Sequence, residues 1–188
     1  MTVFVVDDDL QIRKAMSRWF VLNNLKGECY SSAEAFLSQV KPNFLPGCII
    51  LDLRMEGMSG LELQRCLKER MPHWPIIFLS GHGQVHIAVE AVKQGAMDFL
   101  EKPVNNCSLL KVVTDALERS KCLVSLAEDR AKLTGRECET LDLLMFGFSS
   151  KDIASELDIS VKTVEYHRYN IKSKIELGSY KRSVLAVR

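Results

Sequence analysis

CIILDLRM, residues 48–55, is the stretch on which the fold of this chain turns. Cys48, Ile49, Ile50 and Leu51 run without a polar interruption and stop on Asp52. A strand with one wet face alternates apolar and polar residues. A continuous apolar run belongs to a strand covered on both faces, the condition of an inner strand of a parallel sheet. IIFLS at 76–80 repeats the pattern. Outward from these two, shorter β-like runs lie at 3–6, 28–30 and 97–100, with amphipathic stretches such as LELQRCLKER (61–70) and VHIAVEAVKQG (85–95) between them. Gly95 has the position of a helix C-cap, and Ser31 with Glu34 and Ser59 with Glu62 have capping-box spacing. Five strand–helix units in succession predict an α/β domain: a five-stranded, parallel, doubly wound sheet with helices on both faces.

The alternation stops near Lys121. SKCLVSLAEDRAKLT (120–134) reads as a charged helical connector without Gly or Pro, and after it only short helices and turns follow. The expected division is therefore 1–120 for the α/β domain, 121–133 for a helical linker and 134–188 for a small all-α domain. A chain of 188 residues accommodates both. Its 47% apolar and 26% charged residues are those of a soluble globular protein, and no stretch is long and apolar enough to span a bilayer. The six cysteines are scattered, with no CxxC, and read as reduced thiols. The expected location is the cytoplasm, away from membranes.

In open parallel sheets, ligand chemistry gathers at the carboxyl ends of the strands. Here those ends carry Asp7, Asp8 and Asp9, then Asp52, then Ser80, then Lys102 in DFLEKP (98–103). Three like charges in a row are costly unless they cap a helix or hold a cation. The hard oxygens of the acids suit Mg²⁺, which also relieves their repulsion. A divalent cation, an ammonium and a hydroxyl around one carboxylate suit transfer of a phosphoryl group onto it, because each offsets charge on the incoming dianion.

Residues 1–120 resemble the receiver domain of two-component response regulators, in VVDDD, ILDLRM with MSG behind it, FLSGHG and GAMDFLEKP. The resemblance implies a flavodoxin-like sheet with Asp52 as phosphoryl acceptor. It implies Mg²⁺ held by Asp8, Asp52 and the backbone carbonyl of Arg54, with Asp7 acting largely through water. Ser80 and Lys102 would bind the phosphoryl group, and Phe99 would be the aromatic whose rotamer reports the state. Asp9 matches an acidic position without a fixed task and reads better as an N-cap. One departure stands out: the family commonly has Pro four residues after the acceptor, and this chain has Glu56.

The all-α segment reads first without a family. Thr134 with Glu137 and Ser149 with Asp152 have capping-box spacing, and Ser160 is placed to cap a third helix. SSKDIASELDISVKTVEYHRYNI (149–171) gives a short helix, a turn near 157–159 and a second helix, the helix-turn-helix arrangement that enters the major groove. Ile153, Ala154, Leu157, Ile159, Val164 and Ile171 have the spacing of its core. From Val161 onward seven basic residues (Lys162, Arg168, Lys172, Lys174, Lys181, Arg182, Arg188) face two acids (Glu165, Glu176). Such a surplus on a recognition helix favours nucleic-acid phosphates, although the whole chain carries only +1.

This stretch resembles the LuxR-type helix-turn-helix, and receiver plus LuxR domain resembles regulators of the NarL/FixJ kind, FixJ-like in particular. The candidate DNA-binding residues are Lys162, Thr163, Glu165, Tyr166, Arg168, Tyr169 and Lys172. Where many members have LG after the equivalent of Lys174, this chain has Ile175 and Glu176. The resemblance implies a transcription factor rather than an enzyme. Its implied partners are a sensor histidine kinase, double-stranded DNA, RNA polymerase and, once phosphorylated, a second copy of the chain. Two alternatives stand beside it. One is a DNA-binding protein whose degenerate receiver no longer switches, which Glu56 favours and the retained acids, Ser80 and Lys102 oppose. The other is a Mg²⁺-dependent phosphatase of the haloacid-dehalogenase kind, which Asp7-x-Asp9 favours and Gln11 opposes.

Overall fold

The computed structural model describes residues 1–41, 45–81 and 85–187, in two compact units that part between Lys121 and Cys122. In the first unit β1 (Thr2–Val6), β2 (Gly27–Tyr30), β3 (Gly47–Asp52), β4 (Ile76–Ser80) and β5 (Asp98–Glu101) form one sheet in the order β2-β1-β3-β4-β5. All neighbouring pairs are parallel. β3 lies at the centre and all of its residues are buried, as its uninterrupted apolar run requires. The order reverses beside β1, so β1 and β3 are the neighbours whose carboxyl ends flank the switch point.

Alternate strand residues feed two separate cores. Phe4, Val6, Ile49, Leu51, Ile76 and Phe78 point to α2 (Ala33–Gln39), α3 (Gly60–Arg70) and α4 (Val85–Lys93), meeting Phe36, Leu63, Leu67 and Ala91. Val3, Val5, Cys48, Ile50, Ile77 and Leu79 point the other way, to α1 (Leu10–Leu22) and α5 (Asn106–Ala131), where Trp19, Phe20, Leu109 and Val113 pack. Period-2 alternation within continuously apolar strands thus serves both layers at once. Ser120, fully buried on α5, accepts from the first N–H of β3 at 3.0 Å and leaves that buried donor satisfied.

The caps follow the sequence with one correction. Ser59 and Glu62 form the expected capping box, and Asp9 caps α1 by accepting from Gln11 N. At α2, however, the cap is Ser32 rather than Ser31. Ser32 holds the extended backbone an N-cap needs and accepts from Ala35 N at 3.1 Å. Glu34, freed from any box, reaches the backbone N–H of Met58 instead. α4 gives way to Gly95 with φ +95, the left-handed conformation expected of a C-cap there. The fifth strand begins one residue later than the run at 97–100.

In the second unit α6 (Gly135–Met145), α7 (Ser150–Glu156), α8 (Val161–Lys174) and α9 (Leu177–Val187) follow the end of α5. Both expected capping boxes form, and Ser160 caps α8. The turn between α7 and α8 passes through Asp158 at φ 52, and Ile159 N donates to Ala154 O at 3.0 Å. Ile153, Ala154 and Val164 bury together with Leu157 and Ile159 against them. Ile171 departs from that group and packs with Leu141, Ile175 and Tyr180. Ile175, the departure from LG, fills this second cluster and anchors the start of α9. Arg130, in the last turn of α5, forks onto both oxygens of Asp142 and reaches Tyr180 Oη, so its guanidinium ties three helices.

Candidate functional site

The carboxyl ends of β1, β3, β4 and β5 form one rim, and most of the expected residues meet there. Asp7, 1% exposed, and Asp52, 8% exposed, face each other across a single ammonium. Lys102 Nζ lies 2.7 Å from Asp7 Oδ2 and 2.6 Å from Asp52 Oδ1. The lysine reaches them from the end of β5, before a cis Lys102–Pro103 bond, and its N–H donates to Ser80 O at 2.7 Å. Ser80 ends β4 at 2% exposure, with its hydroxyl donating to Gly81 O at 3.3 Å. Phe99, on β5, packs half-buried against Phe78, ring centroids 6.4 Å apart.

The remaining carboxylate oxygens are held by backbone. Asp7 Oδ1 accepts from Asp9 N at 2.9 Å, and Arg13 donates to the Asp7 carbonyl at 2.7 Å. Asp52 Oδ2 accepts from Arg54 N at 3.1 Å. Asp8 is exposed and stands off from the lysine, its Oδ2 accepting from Glu56 N at 3.0 Å. Behind the site α3 starts at Gly60, where a Cβ would sit 2.3 Å from the Asp52 carbonyl. Only glycine lets the helix come so close to the end of β3.

One ammonium shared by two buried carboxylates leaves a net negative charge, and the titration of both partners follows. Burial pushes the Asp52 carboxyl above its ordinary value, against the pull of Lys102 and Arg54 N–H, and the charge of Asp7 adds to the rise. Burial alone would lower Lys102, but its bonds to Asp52 and Asp7 outweigh that and raise it. The lysine is therefore firmly cationic, and the Asp52 carboxylate is only partly compensated.

Among the described residues no group of three or more His, Cys, Asp or Glu is gathered closely enough to form a ready metal cage. Lys102 lies between Asp7 and Asp52, and Asp8 is turned to the loop after β3. The donor chemistry nevertheless fits Mg²⁺. The carboxylates are hard, and an oxygen that accepts one hydrogen bond keeps a second lone pair.

The second unit presents a different surface. Lys162, Glu165, Tyr166, Tyr169 and Lys172 are all exposed and recur at helical spacing along one face of α8. Tyr166 and Tyr169 are 63% and 72% exposed, which leaves most of each ring open to a partner. Thr163 is half-buried at the helix start, its hydroxyl 2.8 Å from Ser160 Oγ. Arg168 is also half-buried and donates to Ser150 Oγ at 2.5 Å, and that hydroxyl donates to Glu165 Oε1 at 2.6 Å. Sequence reading missed Ser150 because a contact between residues 150 and 168 leaves no periodic trace. It missed Glu56 N–H for the same reason, a backbone donor carrying no residue signature.

Known proteins resemble this chain over both units. The family described as response regulator receiver domain matches residues 3–114, and that described as bacterial regulatory proteins, luxR family, matches residues 131–187. The response regulator protein TodT of Pseudomonas putida is 41% identical over 184 residues, covering 94% of this chain and 81% of TodT. The transcriptional regulatory protein FixJ of Rhizobium meliloti is 38% identical over 185 residues, covering 95% and 90%. Among solved structures, the response regulator StyR superposes with a TM-score of 0.61 at 36% identity, covering 97% of each chain. Full-length FixJ from B. japonicum does so with 0.59 at 32% identity, covering 99% of this chain and 96% of that one.

Proposed function

Because the chain belongs to the FixJ/TodT-like response regulators, transcription factors with a receiver and a LuxR-type DNA-binding domain and not enzymes, we propose that Asp52 is its phosphoryl acceptor. The observation that carries this reading is Lys102 bridging Asp7 and Asp52 at 2.7 and 2.6 Å on the rim of the sheet. The donor is a phosphohistidine of a sensor kinase. An Asp52 oxygen attacks phosphorus, the P–N bond breaks as the P–O bond forms, and the electron pair leaves with the imidazole. Lys102 gives up its bond to Asp52 for a phosphoryl oxygen, and the Ser80 hydroxyl donates to another. Phe99 follows Ser80 by changing rotamer.

Asp8, Asp52 and the Arg54 carbonyl would hold Mg²⁺, with Asp7 acting largely through water, and the bound cation would supply positive charge against the transferring group. Residues 1–120 serve as receiver, 121–133 as linker and 134–188 as the DNA-binding domain. Phosphorylation alters pairing of two copies and binding to double-stranded DNA, and through it the recruitment of RNA polymerase in the cytoplasm. Lys162, Thr163, Arg168 and Lys172 serve phosphates, and Glu165, Tyr166 and Tyr169 lie at base edges. The test is intact mass after incubation with a small acyl phosphate. One base-labile phosphoryl group is expected with Mg²⁺ and none with a chelator. Equal labelling with the chelator would reject the reading.

A further inference from the structure

The loop after β3 donates three backbone N–H groups, from alternate residues, to three different carboxylates. Arg54 N donates to Asp52 Oδ2 at 3.1 Å, Glu56 N to Asp8 Oδ2 at 3.0 Å and Met58 N to Glu34 Oε1 at 3.0 Å. Gly57, between the last two, takes φ +79, and a Cβ there would meet Glu34 Oε1 at 3.0 Å. The loop is thereby stitched to β3, to the end of β1 and to α2. Its middle stitch is the one that a proline at 56, common in the family this chain resembles, has no N–H to make.

We propose that Glu56 is a positioning residue for the divalent cation, acting through its backbone N–H on Asp8. The inference rests on the assignment of Asp8 and the Arg54 carbonyl as ligands. Asp8 is exposed and lies beyond the reach Lys102 uses for Asp7 and Asp52, so its side chain would otherwise sample several rotamers. Held by Glu56 N–H, its carboxylate is drawn across the rim toward the segment that carries the Arg54 carbonyl. Two ligands from the loops after different strands are then set relative to one another before the ion arrives. The bond uses one lone pair and leaves Oδ1 to the cation. Mg²⁺ demands near-ideal octahedral geometry, so prior ordering of its ligands is gained as affinity. The Glu56 carboxylate itself is exposed, and its charge acts on the ion only through screened solvent.

The test is calorimetric titration of the full, unphosphorylated chain with MgCl₂. Glu56→Pro removes the N–H and should weaken binding roughly three- to tenfold, the range of one typical net hydrogen bond, because only the ordering of Asp8 is lost to the cation. Glu56→Gln keeps the N–H and should stay within about twofold. Equal or tighter binding by Glu56→Pro, or a loss in Glu56→Gln as large as in Glu56→Pro, overturns the proposal. A second measurement does not depend on how proline alters the loop. Hydrogen exchange at the residue-56 amide should be faster in Asp8→Ala than in the wild-type chain, and unchanged exchange also overturns it. Asp8→Ala separates the two layers of inference. If it leaves Mg²⁺ affinity intact, the ligand assignment fails. If it weakens binding while Glu56→Pro does not, only the role of Glu56 fails.

Discussion

The two units place their working charges in opposite environments. The receiver rim buries Asp7 and Asp52 almost completely and joins them through one lysine, whereas α8 leaves Lys162, Tyr166, Tyr169 and Lys172 in water. The difference suits the chemistry proposed for each surface. A carboxylate that accepts a phosphoryl group gains from low dielectric, where lysine and hydroxyl act strongly on developing charge. A surface that reads a polyanion needs reach and counterion release, which require exposure. The second unit does contain a buried charge, Glu137, but it is spent on folding. It completes the α6 capping box and accepts from Lys174 Nζ at 2.6 Å.

The sharpest way to break this contrast is at the proposed acceptor. Asp52→Asn should abolish labelling by an acyl phosphate in intact-mass spectra. Labelling as full as wild type would show that the rim's buried carboxylate is not the acceptor. Lys102→Ala should come next in size. It leaves two buried carboxylates facing each other without a cation and should cost about 2–4 kcal/mol of receiver stability, somewhat less than a fully buried pair because the lysine retains solvent contact. Urea unfolding checks it, and an unchanged midpoint would place the interaction with ordinary surface pairs.

A smaller effect is expected in the second unit from Glu137→Gln, about 1–2 kcal/mol. Burial opposes ionisation of Glu137, but Lys174 and the Thr134 cap together hold its carboxyl below the ordinary value. Its stabilisation is therefore complete above the unfolded carboxyl value and is lost as pH falls through the lower folded one. Thermal melts from pH 6 downward should converge for Glu137→Gln and wild type, and a constant gap would contradict this sign. The smallest effect belongs to the exposed face. Lys162→Ala should weaken DNA binding by a few-fold across sequences and lower the slope of log K against log salt by about 1. A salt slope identical to wild type would remove Lys162 from the phosphate contacts. Arg168→Ala should differ from it by also disturbing Glu165, since both share the Ser150 hydroxyl.

Much of this was legible in the residues themselves. The apolar runs at 48–51 and 76–79 announced strands covered on both faces, and Thr134, Ser149 and Ser160 marked three helix starts by local chemistry alone. The rim residues were legible as a group because parallel strands deliver their carboxyl ends to one edge. Helix starts, strand burial and rim membership depend on neighbours within a few residues or on a periodic pattern, and a linear sequence carries both. What only the tertiary structure decided are contacts between residues far apart with no period to reveal them. That Lys102 pairs with Asp7 and Asp52 while Asp8 turns to Glu56 N–H, and that Ser150 joins Glu165 to Arg168, are such cases. Which of several chemically suitable donors meets a carboxylate is a matter of distance and direction, and these exist only once the backbone has been folded.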